Sequence, residues 1–323
     1  MTARTRTVAL VAAAAIAAAG ATVGVTLATR SNPPTPVKLK PRSGFPPLYL
    51  DVGVRDDAAA RAIRRGSALY VQGRHAAALQ VFDGVSDLEA QVGAALAGWP
   101  RGSIQRLQAL AATHPASAVV RLNLGVAQFW RGDGAAALSA WREAVRVEPD
   151  SPAAVSADTF LHPQFAPNLP FFVPTFALPA GLAKLSPAHQ LSVLERRARR
   201  GGARDRLLYG IALQRLGRPL SARREFAAAA RIAPDDPDAQ VAVAVGIFSK
   251  SDPTRAFARL GPLTARFPHA ATVRFHLGEL LLWTRQLKKA RMELQLAAAE
   301  APQSQIGAEA KLFLQKLGTA GTS

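Results

Sequence analysis

Apolar positions along this chain rarely alternate with the strict period of two that a half-buried strand needs. They recur instead at helical spacing within alanine-rich stretches, as in Ala137, Trp141 and Ala144 at i, i+4 and i+7. Five of these stretches are each followed by a proline: Pro115, Pro149, Pro234, Pro268 and Pro302, spaced by 34, 85, 34 and 34 residues. Proline ends a helix because it lacks the amide donor and its ring clashes with the preceding turn. A fixed period between 20 and 50 residues marks a stacked array, in which each unit buries its apolar face only against its neighbours. The pattern predicts an all-α solenoid of antiparallel helix pairs.

The period divides residues 51–317 into expected units at 56–86, 88–115, 116–149, 151–200, 203–234, 237–268 and 271–302, followed by a capping helix at 303–317 and a short tail at 318–323. The 85-residue interval is two and a half periods. It should hold one unit split by an insertion, with helices at about Pro152–Phe160 and Pro187–Arg200. The insertion, residues 161–181, carries Pro163, Pro167, Pro170, Pro174 and Pro179, which forbid a helix or a central strand. It also carries Phe165, Phe171, Phe172 and Phe176, too apolar a set for a solvated loop.

Within residues 116–149, Leu124, Gly125, Gly132, Ala137, Trp141, Ala144 and Pro149 form a pattern that resembles the tetratricopeptide repeat. The pattern returns at Tyr209, Gly210, Leu213, Gly217, Ala222, Phe226, Ala229 and Pro234, and again at Leu277, Gly278, Leu281, Ala290, Leu294, Ala297 and Pro302. A weaker copy lies between these two, at Val243, Ala244, Ile247, Ala256, Leu260 and Pro268. The family's usual Trp and Tyr on the first helix are Arg121 and Gln128 here. The resemblance implies a right-handed superhelix whose first helices line a concave face that takes an extended peptide or a partner helix.

Carried onto matching positions, that face would present Leu122, Val126, Phe129 and Trp130 in one unit and Leu207, Ile211, Gln214 and Arg215 in a second. Two further units would add Val241, Val245 and Phe248, then Phe275, Glu279, Leu282 and Trp283. The Lys and Asn residues with which one subclass grips a terminal carboxylate are Leu and Val here, so no carboxylate clamp is expected. An apolar face and an apolar insertion in one chain suggest that residues 161–181, led by the four phenylalanines, fold back as a lid, with an exposed partner-binding or membrane-dipping segment as the alternatives.

Composition adds a membrane question. Arg4 and Arg6 precede an uncharged run from Thr7 to Thr29 that Arg30 ends, long enough as a helix to cross one hydrocarbon core. Residues 1–30 are expected to be an uncleaved single-pass anchor, with a cleaved secretory signal as the alternative. The following domain is expected outside the cytoplasm, although the positive charges after the run score the other way. Residues 31–50, rich in proline, suit an extended linker. The 40 Lys and Arg against 22 Asp and Glu give a formal +18, but an Arg/Ala/Gly/Pro-heavy composition argues against nucleic acid as the partner.

Candidate chemistry is sparse. There is no cysteine, no glycine-rich phosphate loop and no nucleophile elbow. Among the histidines, His276 pairs with Glu279 one helical turn on, which reads as a structural pair rather than a metal site. Asp235, Asp236 and Asp238 fall at an inter-unit turn where acids cap the next helix. The arginine run of residues 195–206 reads as the cationic end of a helix terminated by Gly201-Gly202, with an anionic-lipid or acidic-protein patch as the other reading. No cofactor, metal or catalytic residue is expected. The expectation is a non-enzymatic, membrane-tethered scaffold for a protein or peptide, with binding of an anionic envelope polymer or lipid head groups as the alternative.

Overall fold

The computed structural model describes residues 39–319 and is all-helical over them. Six helices form three antiparallel pairs in the first half: α1 (Ala58–Val71) with α2 (His75–Asp83), α3 (Leu88–Ala97) with α4 (Ser103–Thr113), and α5 (Ala118–Trp130) with α6 (Gly134–Val147). A single helix follows, α7 (Pro152–Leu161), then a long non-helical stretch and α8 (Pro187–Arg200). The second half contains α9 (Ala203–Arg215) with α10 (Pro219–Ile232), α11 (Pro237–Gly246) with α12 (Thr254–Leu260) and α13 (Leu263–Arg266), and α14 (Ala271–Trp283) with α15 (Leu287–Glu300). The closing helix is α16 (Gln305–Thr319).

Local chemistry accounts for these boundaries. Each of the five periodic prolines stands two residues past a helix end, after α4, α6, α10, α13 and α15. At helix starts, Ser151, Ser186 and Asp236 accept backbone N–H bonds as N-caps ahead of Pro152, Pro187 and Pro237, a position where the missing proline donor costs nothing. Pro262 splits the second arm of one unit into α12 and α13, which is why that copy of the motif is weak in sequence. Gly132 (φ +87°) and Gly217 (φ +64°) supply the left-handed turn between the two arms of their units.

Packing follows one device. The ring of Trp141 lies against the bare backbone of Gly125, and the ring of Phe226 lies between Gly210 and Gly246; a methyl group on any of these glycines would collide with the ring. One bulky side chain thus fills the gap that a glycine opens between neighbouring helices. Phe275 and Phe313, 5.8 Å apart, bring α16 onto α14, where Ile306 and Ala310 are fully buried.

The two expected arms of the fourth unit pack on different neighbours: α7 on α5 and α6, and α8 on α9. Two separate apolar clusters result, one ending at Ala157, Phe160 and Leu161 and the other beginning at Leu207 and Ile211. Polar ties hold the halves together. Asp150 accepts from the amides of Leu220 and Ser221 and from the Ser221 hydroxyl at the start of α10. Lys250, 2% exposed, donates to the Thr159 hydroxyl of α7 at 2.9 Å.

The apolar run of residues 7–29 lies outside the described residues, so the expected anchor does too. Among the described residues no helix is long and apolar enough to cross a membrane. The described part of the expected linker is docked on the array. The Leu39 and Arg42 amides donate to the carbonyls of Gly132 and Trp130, and the Tyr70 hydroxyl donates to the carbonyl of Pro46.

Candidate functional site

The long stretch between α7 and α8 runs along the inner helices of the second half as an extended chain. Its residues alternate: Pro170, Phe172 and Pro174 are buried, while Phe171 and Thr175 are exposed. That is the period of two an extended backbone imposes. Prolines at 170 and 174 remove two amide donors and hold their own φ near the extended range.

Every amide donor from residue 171 to 175 is taken by a side chain of the array. The Phe171 amide donates to Glu279 Oε1 at 3.0 Å, Phe172 to Gln214 Oε1 at 3.1 Å, Val173 to His276 Nε2 at 2.9 Å and Thr175 to Asp238 Oδ2 at 3.0 Å. Pro174, the residue between, has no donor to offer. Asp238 also accepts from the Thr175 hydroxyl at 2.6 Å. Upstream, the Asn168 amide donates to the Thr159 hydroxyl that also takes the Lys250 ammonium.

Phe172 is 2% exposed, edge-on to Phe226 at 5.6 Å and stacked on the His276 ring at 5.3 Å. The helix positions explain this arrangement. Residues i and i+3 lie on one face of α14, so His276 and Glu279 point the same way and meet alternate residues of the extended segment. Gln214 comes from α9 and Asp238 from the first turn of α11.

The buried polar groups have displaced titrations. Desolvation holds His276 down to about 4, so its imidazole is neutral; with Nε2 accepting, Nδ1 carries the proton and donates to the Thr272 carbonyl at 2.7 Å. Desolvation pushes Glu279 up to about 8, and Oε2 has no protein partner. Burial likewise raises Asp238, against the hydrogen bonds from Thr175, and lowers Lys250 to about 8. The neutral His276 imidazole and the Gln214 amide accept from the segment without bringing a charge into the dry groove.

A second extended segment occupies the first half. Asn123 on α5, fully buried, accepts from the Tyr49 amide at 3.0 Å and donates to the Tyr49 carbonyl at 2.8 Å. The Arg42 guanidinium lies over the rings of Phe129 and Trp130, and Phe45 stacks on His75 at 3.5 Å. A cleft of ≈ 400 Å³ opens beside this joint, between Trp99 and Trp130.

The positions carried over from the repeat pattern therefore have varied surroundings. Leu207, Ile211, Val241, Val245 and Phe248 share one buried cluster with Phe172. Gln214 and Glu279 hold the segment's amides. Leu122 and Val126 are buried in the first-half cluster that Tyr49 packs against, and Phe129 and Trp130 lie under Arg42. Phe275 faces α16 with the half-buried Leu282; Trp283 packs at the margin of the second-half cluster, and Arg215 is exposed. Of the insertion's phenylalanines, Phe172 is enclosed and Phe176 lies half-buried under the Arg204 guanidinium. Phe165 sits beside His162, and Phe171 is 41% exposed.

Asn123, Lys250 and Thr159 escaped the sequence reading, Asp238 was weighed only as a helix-capping acid, and His276 only as the partner of Glu279. A signal for two of them exists: Asn123 and His276 each precede the Leu-Gly pair of their unit, a place where other units carry Leu208 or Ala242. Asp236 caps α11 as expected, whereas Asp238 turns inward to Thr175. In the arginine run, Arg197 pairs with Asp205, Arg199 with Glu195 and Arg206 with Glu225. Among the described residues no group of three His, Asp or Glu side chains is placed to hold a metal ion.

No family model matches this sequence, and no curated protein sequence matches it. Solved structures that align with it include tetratricopeptide repeat proteins at low identity. A tetratricopeptide repeat protein from Parabacteroides merdae is 12% identical, with 80% of this chain and 97% of that one covered and a TM-score of 0.34. The thermophilic repeat protein TTC0263 of Thermus thermophilus is 22% identical over 59% of this chain and 99% of that one, at 0.28. The Cut9–Hcn1 structure is 14% identical, and the alignment spans 80% of this chain but 56% of that one, also at 0.28. The helix pairs themselves define the fold.

Proposed function

We propose that this chain is a non-enzymatic scaffold, tethered to a membrane by residues 1–30, that binds a partner protein or peptide through the concave face of its helical array. One observation carries the reading: Gln214, Asp238, His276 and Glu279, from three different inner helices, are aligned on the backbone amides of an extended segment. A surface that holds peptide backbone through side-chain acceptors is chemically equipped to hold a partner's backbone.

The alternative, an anionic envelope polymer or lipid head groups held by the net positive charge of the folded part, draws less support. Three of the six arginines at 195–206 are already paired with this chain's own carboxylates. Crosslinking and affinity capture of the intact, detergent-solubilised chain at low and at high salt separates the two readings. Retention of a protein neighbour at high salt supports the scaffold, because apolar and desolvated polar contacts resist screening. Capture of a polyanion that high salt releases would replace it.

A further inference from the structure

We propose that residues 168–176 are a displaceable resident ligand, and that the second-half groove is a site for a partner segment reading aromatic, apolar, proline, then Ser or Thr. This deepens the scaffold reading and rests on it. The resident contacts spell out the code. Phe172 fills a slot walled by Phe226 and His276, which suits a flat ring. Val173 is held through its amide by His276, and its side chain packs against the cluster around Phe275 and Ile306, so the position takes an apolar residue. Pro174 is buried and is the one position between 171 and 175 that brings no amide donor into the groove. Thr175 gives both its amide and its hydroxyl to Asp238, which selects a hydroxyl residue.

Two features distinguish a ligand from ordinary core. The segment belongs to no helix, and its flanks at 163–164 and 177–178 are exposed, so it can leave without unwinding the array. Its amides are held by side chains rather than by a backbone ladder, so a second segment of the same pattern would find every acceptor in place. Glu279 and Asp238 in the groove disfavour an acidic side chain at the inward positions. While the resident is attached, its effective concentration is on the order of millimolar, and a free peptide competes poorly.

The test uses the full-length chain with protease sites placed in the exposed flanks at 163–164 and 177–178. After both are cut, a labelled peptide with the sequence of residues 168–178, NLPFFVPTFAL, is added in excess. Exchange into the nicked chain is expected, followed by about 30-fold weaker binding when the peptide position of Phe172 is Ala and about tenfold weaker when that of Thr175 is Ala. In the uncut chain, Phe172→Ala should bind the unmodified peptide at least about tenfold more tightly than the parent does, because the resident competes less. A nicked chain that keeps its own segment throughout the chase, or a vacated groove that refuses the peptide, overturns the proposal. Peptide exchange without any crosslinked neighbour would remove the scaffold reading and leave the code; a captured neighbour without exchange would do the reverse.

Discussion

Asn123 and His276 stand at the same place in their repeats, each immediately before a Leu-Gly pair, and each fastens an extended segment of the chain to the inside of the array. Asn123 holds Tyr49 by both amide and carbonyl, and His276 holds the amide of Val173. The solenoid therefore has two inner tracks, both filled by its own non-helical segments.

Removing the first of these fasteners should be measurable. Asn123→Ala leaves the Tyr49 amide and carbonyl without side-chain partners in a half-buried setting and should cost about 2 kcal/mol in denaturant unfolding. Cleavage by proteases between residues 39 and 50 should rise with it. Unchanged stability and unchanged protection of that segment would mean Asn123 is not what holds it.

The second fastener predicts a pH profile. His276 titrates near 4 when folded against 6.5 when free, so stability falls as pH drops from 6.5 toward 4. Glu279 titrates near 8 against 4.5, so the folded chain keeps a proton that the unfolded chain releases, and stability falls as pH rises from 4.5 toward 8. Between 4.5 and 6.5 the two slopes cancel. From pH 6.5 to 8 Glu279 alone should remove about 2 kcal/mol. Glu309 on α16 adds to the upward displacement of Glu279, and Asp238 moves in the same direction. Glu279→Gln keeps an acceptor for the Phe171 amide and should abolish most of that alkaline decline. If the decline persists in full in the variant, another group is responsible.

The glycine-and-ring device makes a prediction about packing. A β-carbon at Gly125 would lie 2.5 Å from Trp141 Nε1 and 3.0 Å from the Ala137 carbonyl oxygen. Trp141 has nowhere to move, because Phe129 and Phe160 flank it and its indole donates to the Leu122 carbonyl. Gly125→Ala should therefore cost about 1–3 kcal/mol, whereas Gly181→Ala, with nothing near its β-position, should stay within about 0.5 kcal/mol of the parent. Equal thermal unfolding of the two variants would contradict this account.

Arg285 occupies the inter-helix turn of the last unit at φ +58°, the position that Gly132 and Gly217 fill in theirs. A non-glycine residue there carries strain of about 1 kcal/mol or more. Arg285→Gly relieves it but loosens the unfolded chain, for an expected net gain of about 0.5 kcal/mol. A loss of stability would show that the arginine side chain contributes more than its backbone costs.

The sequence by itself determined the helices, their period and their ends, because those depend on residues close together in the chain. Proline two positions past a helix and serine or aspartate ahead of one act within a turn, and a glycine facing a ring on the next helix acts within one unit, so each leaves a local trace. It also marked the insertion as an interruption too apolar for solvent. What only the tertiary structure decided was where that insertion lies and which side chains meet it. The Phe171–Glu279 bond joins residues 108 apart, and Tyr49–Asn123 joins residues 74 apart. No periodicity encodes such distances. Asp238 illustrates the difference: its place at a helix start reads as a cap, and the cap is Asp236, while the inward carboxylate meets Thr175 because the superhelix brings the two together. The separate packing of α7 and α8 has the same origin. A proline interval can show that a unit is split, but the apolar surface each arm finds to bury is settled by the assembled array.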